Sequence, residues 1–283
     1  MRLFSSTAAQ RRQEELADIQ EERKYLLNAK DDFFLQEAYK TLRTNVMFSL
    51  TGESACKVIT VTSSMQSEGK SITATNMALS FAAADKRVLL IDCDLRKPKL
   101  ARLLQLNSHV GLSNVLMEPK LLKNAIMPFQ DTSLKVILAG SIPPNPSELL
   151  GSKRMQQLLE ELKTQFDYLV LDSPPINMVT DAAVLANQTD GVLFVVRAGR
   201  ADRGGVLHAI DQLEYANAKI LGFVLNGGSG EGSGYGYKRY GYKRYGYGRY
   251  GYRSKYGYGY GYGYGYRSSS QTNAGEEQQE QQK

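Results

Sequence analysis

The stretch that decides the fold begins with the apolar run at residues 58–62 and continues into Ser63-Ser64-Met65-Gln66-Ser67-Glu68-Gly69-Lys70-Ser71. A helical pattern follows at once over residues 71–84. A strand, a glycine-containing turn and a helix in this order are typical of a phosphate-binding P-loop. Gly69 lets backbone N–H groups close around a phosphate, Lys70 reaches the outer phosphates, and the Ser71 hydroxyl is placed to ligate magnesium. The N-terminus of the helix adds its positive end.

Gly-Lys-Ser is a weak signal by itself, because an ordinary helix start can contain the same residues. The P-loop consensus also has glycine at position 64, where this chain has Ser64. Two other strands support nucleotide binding, since residues 88–91 lead into Asp92-Cys93-Asp94 and residues 168–171 lead into Asp172. A single aspartate there is more often a helix cap, but ligands of parallel sheets bind outside the carboxyl ends of the strands. A phosphate cradle and three carboxylates at one edge suit magnesium with ATP or GTP.

The rest of the chain indicates three parts. Residues 36–226 alternate apolar runs with helical patterns, which predicts a P-loop-type α/β domain with a mostly parallel sheet and helices on both faces. The predicted strands are 58–62, 88–92, 134–139, 168–172, 191–196 and 220–226, and helical spacing is clearest at 71–84, 153–165 and 204–216. Residues 1–35 are a charged N-terminal arm. Residues 227–283 have Gly-Tyr repeats and almost no aliphatic side chains, which predicts a disordered tail.

The charge of the chain is concentrated in this tail. The chain has 35 Lys and Arg and 29 Asp and Glu, a net charge of +6, and residues 227–283 have nine and four of them, or +5. Residues 1–226 therefore have 26 and 25, or +1. The two cysteines, Cys56 and Cys93, lack metal-ligand spacing and suggest reduced thiols. Since no signal sequence and no run of 18 apolar residues is present, we expect a cytoplasmic protein that reaches the membrane only through a partner.

Several motifs in a fixed order resemble the bacterial P-loop tyrosine kinases of capsule and exopolysaccharide synthesis. The P-loop looks like theirs, as do residues 90–98 around Asp92 and Asp94, the run that ends in Asp172-Ser173-Pro174-Pro175, and the loop at residues 140–150. Residues 37–45 are similar to the helix through which these kinases form rings, which assigns Glu37, Lys40 and Arg43 to an oligomer contact. The chain departs from the family at Gln66-Ser67, where Pro-Gly is usual, and at Lys40, where arginine is usual.

The resemblance implies a protein-tyrosine kinase that uses ATP and Mg²⁺. It assigns catalysis to Lys70, Asp92 and Asp94, with Asp92 as the candidate base, and metal binding to Ser71, Asp94 and Asp172. How Asp92 and Asp94 divide their roles cannot be read from the sequence. The basic residues that follow them, Arg96, Lys97 and Lys99, could stabilise phosphate or form a solvated loop face. The predicted nucleotide-binding residues are Ser64, Met65, Gln66, Ser67, Glu68, Gly69, Lys70, Ser71, Ile72, Asp172 and Asn226.

The tail contains the predicted phosphate acceptors. Residues 235–267 have 14 tyrosines, eight Lys or Arg and no acidic residue. Neighbouring glycines give each tyrosine the freedom to enter an active site. Each phosphate adds about −1.5 to −2 charges, so roughly four or five neutralise this stretch. The acceptors are Tyr235, Tyr237, Tyr240, Tyr242, Tyr245, Tyr247, Tyr250, Tyr252, Tyr256, Tyr258, Tyr260, Tyr262, Tyr264 and Tyr266.

The family resemblance also implies partners. They are a separate transmembrane activator that recruits the kinase to the inner face of the plasma membrane, further copies in a ring-like homo-oligomer, and a cognate tyrosine phosphatase. No nucleic-acid partner is expected. Two other functions remain open from the residues. One is a partitioning or septum-placement ATPase of the same superfamily, although those enzymes carry a second lysine early in the P-loop. The other is an adaptor that binds nucleic acid through its basic Tyr/Gly tail.

Overall fold

The computed structural model describes residues 19–28, 33–50 and 54–228. Seven strands form one sheet in these residues: β1 Lys57–Ser63, β2 Val88–Asp92, β3 Met127–Pro128, β4 Leu134–Ile137, β5 Tyr168–Asp172, β6 Gly191–Arg197 and β7 Ile220–Asn226. Their order is β3-β4-β2-β5-β1-β6-β7, and every pair is parallel except β3 with β4. The predicted mostly parallel α/β sheet and its six strands are confirmed. The two residues of β3 are too few to give a periodic signal.

Helices cover both faces of this sheet. They are α1 Phe33–Ser49, α2 Lys70–Ala82, α3 Leu100–Leu104, α4 Leu112–Met117, α5 Leu122–Ala125, α6 Pro146–Leu150, α7 Lys153–Lys163, α8 Asp181–Ala186 and α9 Arg203–Tyr215, with a short 3-10 turn at Pro119–Leu121. Side chains of the interior strand β1 alternate between the two faces. Ile59 and Val61 pack in one core with α2, while Val58 packs in the other with α7. This alternation is the period of two that a strand buried on both faces requires.

The strand order places the P-loop next to the two acidic strand ends. β1 pairs with β5 so that Val61 lies beside Asp172, and β5 pairs with β2 so that Asp172 lies beside Asp92. Since all three strands run parallel, their carboxyl ends meet at the same edge. The helix α2 that follows the P-loop is buried along its whole length, so the loop is anchored at both ends by the core.

Residues 19–28 pack against the domain, although they belong to the stretch that we predict as an N-terminal arm. Ile19 is buried, and the buried side-chain amide of Asn76 on α2 bonds their backbone at two points. Asn76 Nδ2 donates to the Tyr25 carbonyl at 2.7 Å, and Asn76 Oδ1 accepts from the Leu27 amide at 2.8 Å. The Asn76 side chain thus donates one hydrogen bond to this segment and accepts one from it, as a backbone peptide group would.

Residues 229–283 of the predicted tail, which include all its tyrosines, lie outside the described residues, as do residues 1–18 and 29–32 of the N-terminal arm, and the expected disorder of the tail stays a prediction. Within the described ranges, the search for a helix with the length and apolarity of a membrane span finds none. Cys56 and Cys93 are both free and buried.

Candidate active site

The P-loop joins β1 to α2 through two residues in the left-handed backbone region. Ser67 has φ +62° and Gly69 has φ +91°. A Cβ at Gly69 would lie 1.8 Å from Nδ2 of Asn226, so glycine is required at this position for space as well as for its backbone angle. The Asn226 side chain lies against the loop because its Nδ2 donates to the Glu68 carbonyl at 3.1 Å. The structure therefore brings the end of β7 to the P-loop, and nucleotide binding by Asn226 stays a prediction.

Lys70 is buried among the carboxylates at the sheet edge. Its Nζ lies 3.2 Å from Asp94 Oδ2 and 3.5 Å from Asp172 Oδ1. Burial acts to lower the pKa of Lys70, but Asp172, Asp94 and Asp92 together raise it above its ordinary value. Lys70 is therefore a permanent cation whose position is set by carboxylates from two different strands. The sequence prediction that these groups meet at one site agrees with these distances.

Asp92 lies behind the cleft, with no exposed surface. Its Oδ1 accepts from the Asp94 amide at 3.1 Å and its Oδ2 accepts from the Leu100 amide at 3.2 Å. Burial, followed by the nearby charge of Asp172, raises the pKa of Asp92 to about 8, against the opposing effect of Lys70. Asp92 thus holds the loop that presents Asp94, and its proton affinity is far above that of an ordinary carboxylate.

Asp94 and Asp172 face the P-loop more directly. Asp94 lines the cleft and its Oδ1 accepts from the Lys97 amide at 3.0 Å. Burial raises the pKa of Asp172, although Lys70 and the Ser71 hydroxyl act to lower it. The Asp172 Oδ2 atom is buried and has no hydrogen-bond partner within the residues that the structure describes. A buried carboxylate oxygen without a partner is a position where a cation or its water shell fits.

These side chains fit magnesium bound together with a nucleotide. Mg²⁺ prefers oxygen ligands and keeps several waters, using one or two carboxylates together with phosphate oxygens. Asp94, Asp172 and the Ser71 hydroxyl supply such a set beside the P-loop. Within the described ranges, no cluster of three or more His, Cys, Asp or Glu is arranged to hold a metal ion.

A cleft of about 820 Å³ opens onto this site. Among the predicted nucleotide-binding residues, those that line it are Gln66, Ser67, Gly69, Lys70 and Ser71. Ile72 lies in the first turn of α2 and is buried. Ser64 and Glu68 are buried within the loop, and Met65 is half exposed. Small-molecule and cofactor pockets typically have volumes of about 300–1,000 Å³, so this cleft is large enough for a nucleotide.

The basic residues after Asp94 have different roles, which the sequence left open. Arg96 forms a bidentate pair with the fully buried Asp181, at 2.9 Å from Nε and 3.0 Å from Nη2. Ser147 donates to the same carboxylate and also lies 2.9 Å from Arg96 Nη2. Lys99 Nζ pairs at 2.7 Å with Glu22 from residues 19–28, and Glu22 lines the cleft. Arg96 and Lys99 thus join the acidic loop to other segments of the chain.

Asp181 and Ser147 belong to the site, although no sequence pattern indicated either residue. Arg96 and Asp181 are 85 positions apart, and no spacing rule links them. The nearest signal was the resemblance at residues 140–150, which contains Ser147 without giving it a role. The three-way contact fixes the acidic loop, the loop at 140–150 and the start of α8 relative to one another.

The predicted oligomer-contact residues lie together on α1. Lys40 pairs with Glu37 at 2.7 Å, and Arg43 Nη1 donates to the Ser80 carbonyl on α2. In the single chain, Arg43 therefore connects α1 to α2, while Glu37 and Lys40 form an ion pair with each other on the outer surface. Their contact with another copy stays a prediction.

The fold and site together define a P-loop nucleotide-binding protein that uses magnesium. Residues 54–238 match the ParA family, described as NUBPL iron-transfer P-loop NTPase. The tyrosine-protein kinase YwqD of Bacillus subtilis is 39% identical over 202 residues, which are 71% of this chain and 85% of that protein. The tyrosine-protein kinase CpsD of Streptococcus agalactiae is 38% identical over 192 residues, or 68% and 82% of the two chains.

A solved structure gives the same result. The kinase domain of the Escherichia coli tyrosine kinase ETK superposes with a TM-score of 0.67 at 34% identity, covering 72% of this chain and 80% of that domain. The chain therefore belongs to the bacterial tyrosine-protein kinases of the P-loop type. The ParA-type fold is shared with partitioning ATPases, but the extent and identity of the kinase matches favour the kinase over that alternative.

Proposed function

We propose that this tyrosine kinase transfers the γ-phosphoryl group of ATP to the tyrosines of its own C-terminal tail. The main support for this proposal is the position of Lys70 beside the P-loop. Its buried ammonium lies 3.2 Å from the Asp94 carboxylate and 3.5 Å from the Asp172 carboxylate, which follow two different strands. This arrangement provides a fixed positive charge and two carboxylates at one point. Phosphoryl transfer depends mainly on such positioning and charge neutralisation.

The residues of the site have separate roles in phosphoryl transfer. The backbone amides of the P-loop and the Lys70 ammonium hold the phosphates, and Ser71, Asp94 and Asp172 hold Mg²⁺, directly or through water. When bound, Mg²⁺ neutralises the charge that develops on the phosphate oxygens. Asp92 and Asp94 are the candidate proton acceptors for the tyrosine hydroxyl. Asp94 lines the cleft, whereas Asp92 is fully buried and both its oxygens accept from backbone amides, so Asp94 is the better placed of the two to reach a hydroxyl in the cleft.

The tail supports the identity of the acceptor. Its 14 tyrosines alternate largely with glycine and share residues 235–267 with eight Lys or Arg. Transfer in trans within an oligomer would place a basic tail near the acidic site of a neighbouring copy. Successive phosphates would then reverse the charge of the tail and repel it from that site. Phosphorylation would thus change oligomer contacts by electrostatics.

We extend the proposal to the biological setting by resemblance to the family. The kinase regulates capsular or exopolysaccharide synthesis and export, assembles as a ring through Glu37, Lys40 and Arg43, and is recruited from the cytoplasm by a transmembrane activator. A cognate phosphatase reverses its phosphorylation. Nucleic-acid binding by the basic tail is the competing explanation, and it requires strongly salt-sensitive RNA or DNA binding without phosphotyrosine.

The test is incubation of the purified full chain with Mg²⁺ and γ-labelled ATP, followed by mass spectrometry of residues 234–267. Several phosphates on tail tyrosines are expected, and none in Lys70→Met or in a variant with all 14 tail tyrosines replaced by phenylalanine. The phenylalanine variant separates tail labelling from labelling elsewhere. No label, even with the cytoplasmic segment of a candidate activator added, would refute the proposal, and ATP hydrolysis without label would favour the partitioning-type ATPase.

A further inference from the structure

The P-loop contains a buried carboxylate that the transfer reaction does not use. Glu68 is 1% exposed, and its side chain turns back toward the strand side of the loop. The Ser64 hydroxyl lies 2.9 Å from both Oε1 and Oε2, and the Met65 amide donates to Oε2 at 2.8 Å. The carboxylate therefore links the first residues of the loop to a residue next to the helix.

The backbone around Glu68 has a conformation that needs such support. Glu68 lies between Ser67 and Gly69, which both have positive φ angles of +62° and +91°. A serine in the left-handed region is strained, because its Cβ crowds the backbone there. The Glu68 carbonyl also accepts from Asn226 Nδ2 at 3.1 Å. Its main chain and its side chain are thus held by different partners, and together they define the shape of the turn.

A negative charge at this point opposes the ligand. The loop binds an anionic phosphate, and a carboxylate within it repels that charge. A buried carboxylate is tolerated only where hydrogen bonds compensate for the loss of water. Glu68 has these bonds from Ser64 and Met65. The hydrogen-bond geometry, and not the charge, is therefore the feature of Glu68 that can favour nucleotide binding.

We propose that Glu68 is a positioning residue that holds the P-loop in its phosphate-binding shape before the nucleotide arrives. In this conformation the Met65 amide and the Ser64 hydroxyl are used by Glu68. The phosphate contacts then fall to the other backbone amides of the loop and to the first amides of α2, at Lys70, Ser71 and Ile72, which have no partner within the helix. The inference rests on the nucleotide-binding part of the proposed function and is independent of which tyrosine accepts the phosphate.

The test compares Glu68→Ala, Glu68→Gln and Ser64→Ala in the full chain, with Glu214→Ala as a control for loss of an exposed glutamate. Calorimetric titration with Mg²⁺ and ADP measures the Kd. We expect Glu68→Ala to raise the Kd by about tenfold or more, which is about 1.4 kcal/mol. Glutamine can accept from the Met65 amide and donate to Ser64, so Glu68→Gln should stay within about threefold of wild type. Ser64→Ala should give an intermediate loss.

Hydrogen exchange of the Met65 amide in the nucleotide-free protein provides a second measurement. Exchange should be faster in Glu68→Ala and remain slow in Glu68→Gln. A residue with a merely structural role would lower the melting temperature of the alanine variant and leave the Kd unchanged. Either an unchanged Kd in Glu68→Ala or an equally weak Glu68→Gln overturns the proposal.

The experiment also gives an answer if Glu68→Ala fails to fold or if the wild-type chain fails to bind ADP. If Glu68→Ala does not fold, Ser64→Ala removes the hydroxyl contact alone, and a wild-type Kd in that variant overturns the proposal. If the wild-type chain does not bind ADP at all, the nucleotide-binding function fails. The exchange of the Met65 amide still shows separately whether Glu68 holds the loop.

Discussion

Replacement of Lys70 by methionine should destabilise the nucleotide-free protein in a way that depends on pH. The ammonium lies 3.2 and 3.5 Å from Asp94 and Asp172, and each contact is worth about 5 kcal/mol at an effective dielectric constant of about 20. Loss of water around the buried ammonium offsets much of this attraction. Removal of one partner from a buried ion pair therefore costs a net of about 3–5 kcal/mol. For a domain of this size, that corresponds to a decrease in melting temperature of about 6–20 °C.

The pH dependence follows from the carboxylates that remain. Lys70 acts to lower the pKa of both Asp92 and Asp172, so both values rise further without it. A group whose pKa is raised by folding contributes stability at low pH and loses that contribution as the pH rises through its folded value. The pKa of Lys70 itself is raised above 10.5, so its own contribution is constant at neutral pH. Through Asp92 the deficit of Lys70→Met grows as the pH rises above about 8, so it should be larger near about pH 9 than near about pH 6.

Thermal unfolding followed by circular dichroism at both pH values measures this deficit. Lys163→Met is the matched control, because Lys163 pairs with Glu160 at the surface, at 2.7 Å with side-chain exposures of 27% and 71%. An exposed pair contributes about 0–1 kcal/mol, so this control should melt close to wild type. The reasoning would be refuted if Lys70→Met melted like wild type near about pH 9, or if its deficit were the same at both pH values.

Two other predictions concern contacts outside the P-loop. Asp181→Ala should reduce the free energy of unfolding by about 1.5–3 kcal/mol, because Arg96 loses a charged hydrogen-bond partner. Urea unfolding measures this loss, and a wild-type midpoint would contradict it. Asn76→Ala should speed amide exchange at Leu27, because the side chain that accepts from this amide at 2.8 Å is removed. Exchange unchanged from wild type at Leu27 would show that Asn76 does not hold residues 19–28.

Much of the fold could be predicted because its signals are local. Each of the six apolar runs is a strand of the sheet, and the helix after Gly69 begins at Lys70, one residue before the pattern predicts. The acidic residues at the ends of β2 and β5 could be placed at one edge, since parallel strands share a direction. Even the meeting of Lys70 with Asp94 and Asp172 follows from this rule. These inferences need only the spacing of apolar residues and the handedness of βαβ connections.

The burial of each side chain and its hydrogen-bond partners could not be predicted from such local signals. Asp92 and Asp94 are two residues apart in one motif, yet Asp92 is turned into the protein, where its oxygens bind backbone amides, while Asp94 lines the cleft. The same residue types in the same pattern allow either arrangement. The loop that follows β2 decides between them, because it closes over Asp92 at Leu100.

The sequence by itself determined the class of this protein: a P-loop at the end of a buried strand, carboxylates on the neighbouring strands, and a tail rich in tyrosine. Only the tertiary structure decided how the site is held in place. Arg96 meets Asp181 across 85 positions, and Glu68 binds Ser64 and Met65 through the turn of the loop. The first set of features depends on residue type and periodicity along the chain. The second depends on distances between side chains, which exist only after the strands are ordered and the loops are closed.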